Sequence, residues 1–212
     1  MPKPERTVTL AKVMFGTRMR NEKQMLRKGK PMFKNLAEDV VTAFAFGDLN
    51  PLGLIPVSFA DELVDVLAPV VSQSFLKVAD SVSKAYDVDV TVNTRDMLDA
   101  FNLRTEGVVR NRRVRMEIVL DKYQRGELTK EQAEGFLRGI ADNDPSLARY
   151  SRTETAYITN QATIDTAEAG GYTHVLLGDG GDCGLTTHND PDKVNNTVRL
   201  ISVFRNHTLA HP

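Results

Sequence analysis

The chain has 212 residues, 41% hydrophobic and 26% charged, with no tryptophan, one cysteine and a formal net charge of −1. That is enough for one large domain or two small ones with an aliphatic core. It excludes a disulfide scaffold, because one cysteine cannot bridge internally. No stretch approaches the roughly 18 apolar residues a membrane helix needs. The opening Met1-Pro2-Lys3-Pro4-Glu5-Arg6 lacks an apolar run, so no secretory signal is expected.

The small net charge hides an asymmetry. Residues 1–34 carry ten Lys/Arg against two acids, a local +8, which leaves about −9 for the rest. Such a basic arm suits an anionic partner, nucleic acid or an acidic protein surface. Arg18, Arg20, Lys23, Arg27, Lys28 and Lys30 are the candidate contacts. Met14, Phe15, Met19, Met25, Leu26, Met32 and Phe33 are interleaved with them, so the segment is too apolar for a plain disordered tail.

After the arm, which runs to about Asn35, a short apolar helix fits 36–46. A connector dense in Gly, Pro and Asn follows over 47–56. Apolar residues at three- and four-residue spacing predict a helix over 58–86, with Pro69 as a kink or break. Asp87 to Val92 alternates and reads as a short extended piece. A helix is predicted from Asn93 or Thr94 towards Arg125, with Gly107 as an interruption. Gly126 stops it. Thr129-Lys130-Glu131-Gln132 is a capping-box start for the next helix. Asp144-Pro145 then opens a helix over 145–169, closed by Gly170-Gly171. Residues 172–177 and 197–204 read as strands. The fold class is mostly α, a helical body with a small irregular α+β module at its C-terminal end. The segments are a basic arm (1–35), a helical body (36–144) and the module (145–212).

The helix over 145–169 has an unusual stripe of Leu147, Tyr150, Glu154, Tyr157, Gln161, Ile164 and Glu168, polar in its middle. A carboxylate facing inward needs partners. Glu154, flanked by Arg149 and Arg152, is therefore either half of a surface ion pair or a polar lock, with Arg152 and Glu154 as the lock residues. A general acid/base role ranks below both, since the stripe has no histidine.

Downstream lies Gly178-Asp179-Gly180-Gly181-Asp182-Cys183-Gly184, followed by His188, His207 and His211. The glycines match no phosphate-binding pattern, two aspartates would repel phosphate, and no helix is predicted to follow. Asp179, Asp182, Asp190 and Asp192 do not have the spacing of a calcium loop. Cys183, His188, His207 and His211 instead form a C-x4-H…H-x3-H series, and thiolate with imidazole is zinc's preferred donor set. Zinc is the expected cofactor of this reading. Solvated histidines and a small buried cysteine are the alternative.

The order Arg152-Thr153-Glu154-Thr155-Ala156, Asn160, Ala169-Gly170-Gly171-Tyr172, Asp179-Gly180-Gly181-Asp182-Cys183 and finally His211-Pro212 resembles the phage head morphogenesis family, minor head proteins similar to the F protein of phage Mu. The resemblance covers about residues 145–212. Two departures stand out: His188 occupies the region of the family's second cysteine, and the sequence ends at Pro212, where a cysteine-containing tail is expected. The resemblance implies a non-enzymatic minor capsid protein associated with the portal and other capsid proteins, located in the virion and assembled in the host cytoplasm. It also implies contact with packaged DNA, to which the basic arm would contribute salt-dependent phosphate contacts. No membrane partner is expected. The alternative is a metal-dependent nuclease using His188 with Asp179 or Asp182.

Overall fold

The computed structural model describes residues 7–10, 15–89, 91–142, 144–177 and 197–204. The order is β1 (Thr7–Leu10), α1 (Phe15–Ala45), α2 (Pro51–Leu54), α3 (Ser58–Tyr86), α4 (Arg95–Gln124), α5 (Lys130–Ala141), α6 (Asp144–Ala169), β2 (His174–Leu177), β3 (Thr197–Leu200) and α7 (Ile201–Phe204). The fold is thus mostly α with a small β element. No helix among the described residues is long and apolar enough to cross a membrane.

Several elements follow the sequence closely. Thr129 caps α5 with a full capping box: its hydroxyl accepts from the Gln132 N–H at 3.2 Å, and the Gln132 side chain accepts from the Thr129 N–H at 2.9 Å. Asp87 to Val92 forms no strand among its described residues, and Gly107 does not interrupt α4. Pro69 sits inside α3 without ending it. The largest difference is at the start. Residues 15–45 form one helix, where the sequence suggested an arm and a short helix. Glu22, Met25, Gly29, Phe33, Leu36 and Val40 recur at three- and four-residue spacing and are all buried, which is the condition for a helix held by one face.

The chain divides into two compact units. One gathers Met1–Lys23, Val70–Met97 and Tyr150–Pro212; the other gathers Gln24–Pro69 and Leu98–Arg149. In the second, Phe33 packs edge-on against Phe59 with ring centres 5.5 Å apart, and Phe44 packs likewise on Tyr123 at 5.2 Å. The buried Arg112 guanidinium lies 4.4 Å from the centre of the Phe33 ring, and such cation–π contacts strengthen when desolvated. Arg113 donates to the carbonyls of Ile55 and Pro56 at 2.8 and 2.6 Å, tying α4 to the segment after α2.

The first unit holds a three-stranded sheet in the order β1-β2-β3. β1 runs parallel to β2, with Thr7 opposite His174, and β3 runs antiparallel, with Leu200 opposite His174. The predicted strand over 197–204 ends at Leu200, where the chain coils into α7; the Ile201 N–H still donates to the Thr173 carbonyl at 2.9 Å. Ile164, Ala167, Val175 and Ile201 form the small core beneath the sheet, closed by Tyr86, Tyr157 and Tyr172.

Candidate functional site

The best-defined polar site lies in the first unit, where the N-terminal turns of α1 meet α6. On α1, Asn21 and Glu22 are buried and Arg18 is half-buried. On α6, Ser151 and Glu154 are buried and Arg152 is exposed. Arg152 Nε lies 3.6 Å from Glu22 Oε1. The Arg18 guanidinium is held below its ordinary pKa, mainly by burial; Glu22 opposes that shift and Arg152 adds to it. Glu22 is therefore buried beside two guanidinium groups, the half-buried Arg18 and the exposed Arg152.

Glu154 is 2% exposed and engaged in interaction. The helix around it is enclosed on more sides than the predicted stripe. Thr155, Ala156, Ile158, Thr159, Ala162 and Thr163 are all buried although the stripe omits them. The threonines achieve this by donating back along the helix: Thr155 to the Ser151 carbonyl at 2.9 Å, Thr159 to Thr155 at 2.7 Å, Thr163 to Thr159 at 2.8 Å and Thr166 to Ala162 at 2.7 Å. A hydroxyl bonded to its own helix needs no outside partner, so it can be buried like a small apolar group. Ser151 Oγ is buried without a hydrogen-bond partner among the described residues.

The exit from α6 is tightly built. Gly171 has φ +81°, the left-handed conformation that ends helices and favours glycine. Gly170 lies so close to Val88 that a Cβ there would fall 2.5 Å from Val88 Cγ1. Tyr172 packs edge-on against Tyr86 at 5.3 Å. From there β2 leads into residues 178–196.

The cationic candidates all map to α1. Arg18, Arg20 and Lys23 belong to the first unit, and Arg27, Lys28 and Lys30 to the second. All but the half-buried Arg18 are exposed. Arg20 also donates to the Gly16 carbonyl at 3.2 Å. Arg27, Lys30 and Lys34 share one helix face at three- and four-residue spacing.

Cys183, His188, His207 and His211 lie outside the described residues, as do Asp179 and Asp182. Among the described residues no group of three or more His, Cys, Asp or Glu is arranged to hold a metal. His174, on β2, is the described histidine; its Nδ1 is 2.9 Å from the Thr173 hydroxyl.

Sequence reasoning passed over Glu22 as the partner of Arg152, and Arg18 beside it. The available signal was Glu22 itself, the sole acid among the cations of residues 12–34. No family model matches the chain, and no curated protein or solved structure matches it either.

Proposed function

We propose that this chain is a phage minor head protein, a non-enzymatic component of capsid morphogenesis that associates with the portal. The observation that carries this reading is the ordered set of Arg152-Thr153-Glu154, the Asp179-to-Cys183 segment and His211-Pro212, with Glu154 of its first member buried in a packed unit. The burial of Glu154 on an enclosed helix suits an architectural motif better than a solvent-fed reaction centre. The exposed cations of α1 suit a second task, contact with DNA phosphates inside the head. Zinc held by Cys183, His188, His207 and His211 belongs to the same proposal, as a clamp on the module rather than a catalyst.

Deletion of residues 1–34 is the wrong test of the cations, since Met25 and Phe33 are core residues. Substitution is the right one. The chain is co-expressed with portal and major capsid protein, and particles are purified by density. The wild type is expected in portal-containing particles and absent from portal-less shells. Its absence from both would overturn the proposal. For the DNA contact, Arg27→Ser, Lys28→Ser and Lys30→Ser together should flatten the dependence of log binding constant on log salt, by about 0.9 for each phosphate no longer neutralised. An unchanged slope would remove those residues from the interface.

A further inference from the structure

Helix α4 is buried along one side through Phe101, Thr105, Val109, Met116 and Leu120. Its opposite side is not an ordinary solvated face. Leu103, Val114 and Ile118 are 68%, 49% and 53% exposed. Gly107 lies in the same row, with nothing within 4 Å of where a Cβ would point. At 3.6 residues per turn, positions 103, 107, 114 and 118 fall within an arc of about 60° and span roughly 22 Å. The 103-to-114 and 107-to-118 intervals are equal, an 11-residue repeat that keeps such a row on one side of a nearly straight helix. Beside its C-terminal end, Phe136 of α5 is 55% exposed and lines the same shallow groove as Ile118.

Single exposed apolar side chains are common. A row along four turns with a glycine in it is not. Glycine inside a helix costs about 1 kcal/mol relative to alanine, and nothing in this unit needs the space at Gly107.

The charges beside the row say what covers it. One flank carries Arg104, Arg115 and Lys122; the other carries Asp99, Glu106 and Glu117, with Arg110 among them. Arg113, on the acidic side, is occupied with the Ile55 and Pro56 carbonyls. When two helices pair in parallel about a two-fold axis, unlike flanks meet, and a residue on one flank approaches the residue roughly five positions further along the other helix. That offset sets Glu117 against Lys122, and Asp99 against Arg104, which is also engaged within its own chain, each twice by symmetry. It also sets Arg110 against Arg115, a like-charge cost. An antiparallel pair would instead bring each flank against its own copy, cations on cations.

We infer that this face of α4 seats the same face of a second copy of the chain, with the two α4 helices parallel. The apolar row supplies the attraction, Gly107 allows close approach of the backbones, and the flanking charges fix the direction.

Sedimentation velocity over a concentration series tests the pairing. The wild type is expected to shift from monomer to dimer, and Val114→Glu with Ile118→Glu to remain monomeric at every concentration. Both positions are solvent-exposed in the single chain, and an unchanged far-ultraviolet spectrum verifies that the variant folds. Val114→Cys in a Cys183→Ser background tests direction, because a parallel two-fold pair sets residue 114 against itself. Mild oxidation should give a disulfide-linked dimer. A wild type that stays monomeric, a dimer that survives the double glutamate substitution, or a Val114→Cys dimer that does not cross-link would each overturn the inference.

Discussion

Gly170 joins α6 to the turn before β2, and replacing it with alanine tests how rigidly that joint is built. A Cβ there would lie 2.5 Å from Val88 Cγ1, 3.0 Å from Val88 Cβ and 3.3 Å from the Thr166 carbonyl oxygen. Carbon atoms prefer about 3.5–4.0 Å, so the closest contact is short by about 1 Å. Val88 cannot escape by changing rotamer alone, because its Cβ is also too close and β-branched side chains are stiff at χ1. Overpacking of this kind costs about 1–3 kcal/mol. Urea unfolding at constant m-value should therefore show Gly170→Ala destabilised by that amount. Val88→Ala removes the offending Cγ1 and leaves the 3.0 Å contact with Cβ and the 3.3 Å contact with the Thr166 carbonyl. In the Gly170→Ala background it should recover at least about 1 kcal/mol relative to additivity. An unchanged unfolding midpoint for Gly170→Ala, or strictly additive behaviour of the pair, would refute the reasoning.

Two further substitutions have opposite expected signs. Thr129→Ala removes the capping box of α5 and should cost about 1 kcal/mol by thermal or urea unfolding, while Thr129→Ser should keep most of it. Ser151→Ala deletes a buried hydroxyl that has no hydrogen-bond partner among the described residues. It should be neutral or stabilising by up to about 1 kcal/mol, and a clear drop in stability would show that the hydroxyl is bonded after all.

The elements that were legible in the sequence are those with local signals. Thr129 to Gln132 announces its capping box in four residues, and Gly170-Gly171 marks the end of α6. Two failures have a common origin in non-local partners. β1 is only Thr7–Leu10, set among cations, and its parallel partner begins at His174. Nothing within reach of a sequence window indicates that pairing, since parallel strands need a crossover connection. In α1 the buried row was present but disguised. Glu22 and Gly29 occupy two of its positions, and Pro31 lies inside the helix. An interior proline normally breaks a helix by removing one hydrogen bond and crowding the preceding turn. Here Met25, Phe33, Leu36 and Val40 are buried deeply enough to hold the helix through it.

The Arg152-Thr153-Glu154 motif shows the limit of reading a role from a run of residues. The sequence groups Arg152 and Glu154 as one lock. On a helix, residues two apart point in directions about 200° different, so the two side chains cannot turn to one neighbour. Arg152 reaches outward to Glu22, and its side chain is 59% exposed. Glu22 is buried, at 11% side-chain exposure, but with its partner largely in water and 3.6 Å away the contact is screened and worth about 1 kcal/mol. Glu154, at 2% exposure, must be satisfied in the interior, where an unmet carboxylate would cost several times that. The two residues therefore make contacts back to back: a weak one from Arg152 that clips α6 to the start of α1, and a deep one from the buried Glu154. Disrupting the deep contact should disturb β2 and the chain beyond it, because the Ile164 and Ala167 layer under the sheet belongs to the same helix.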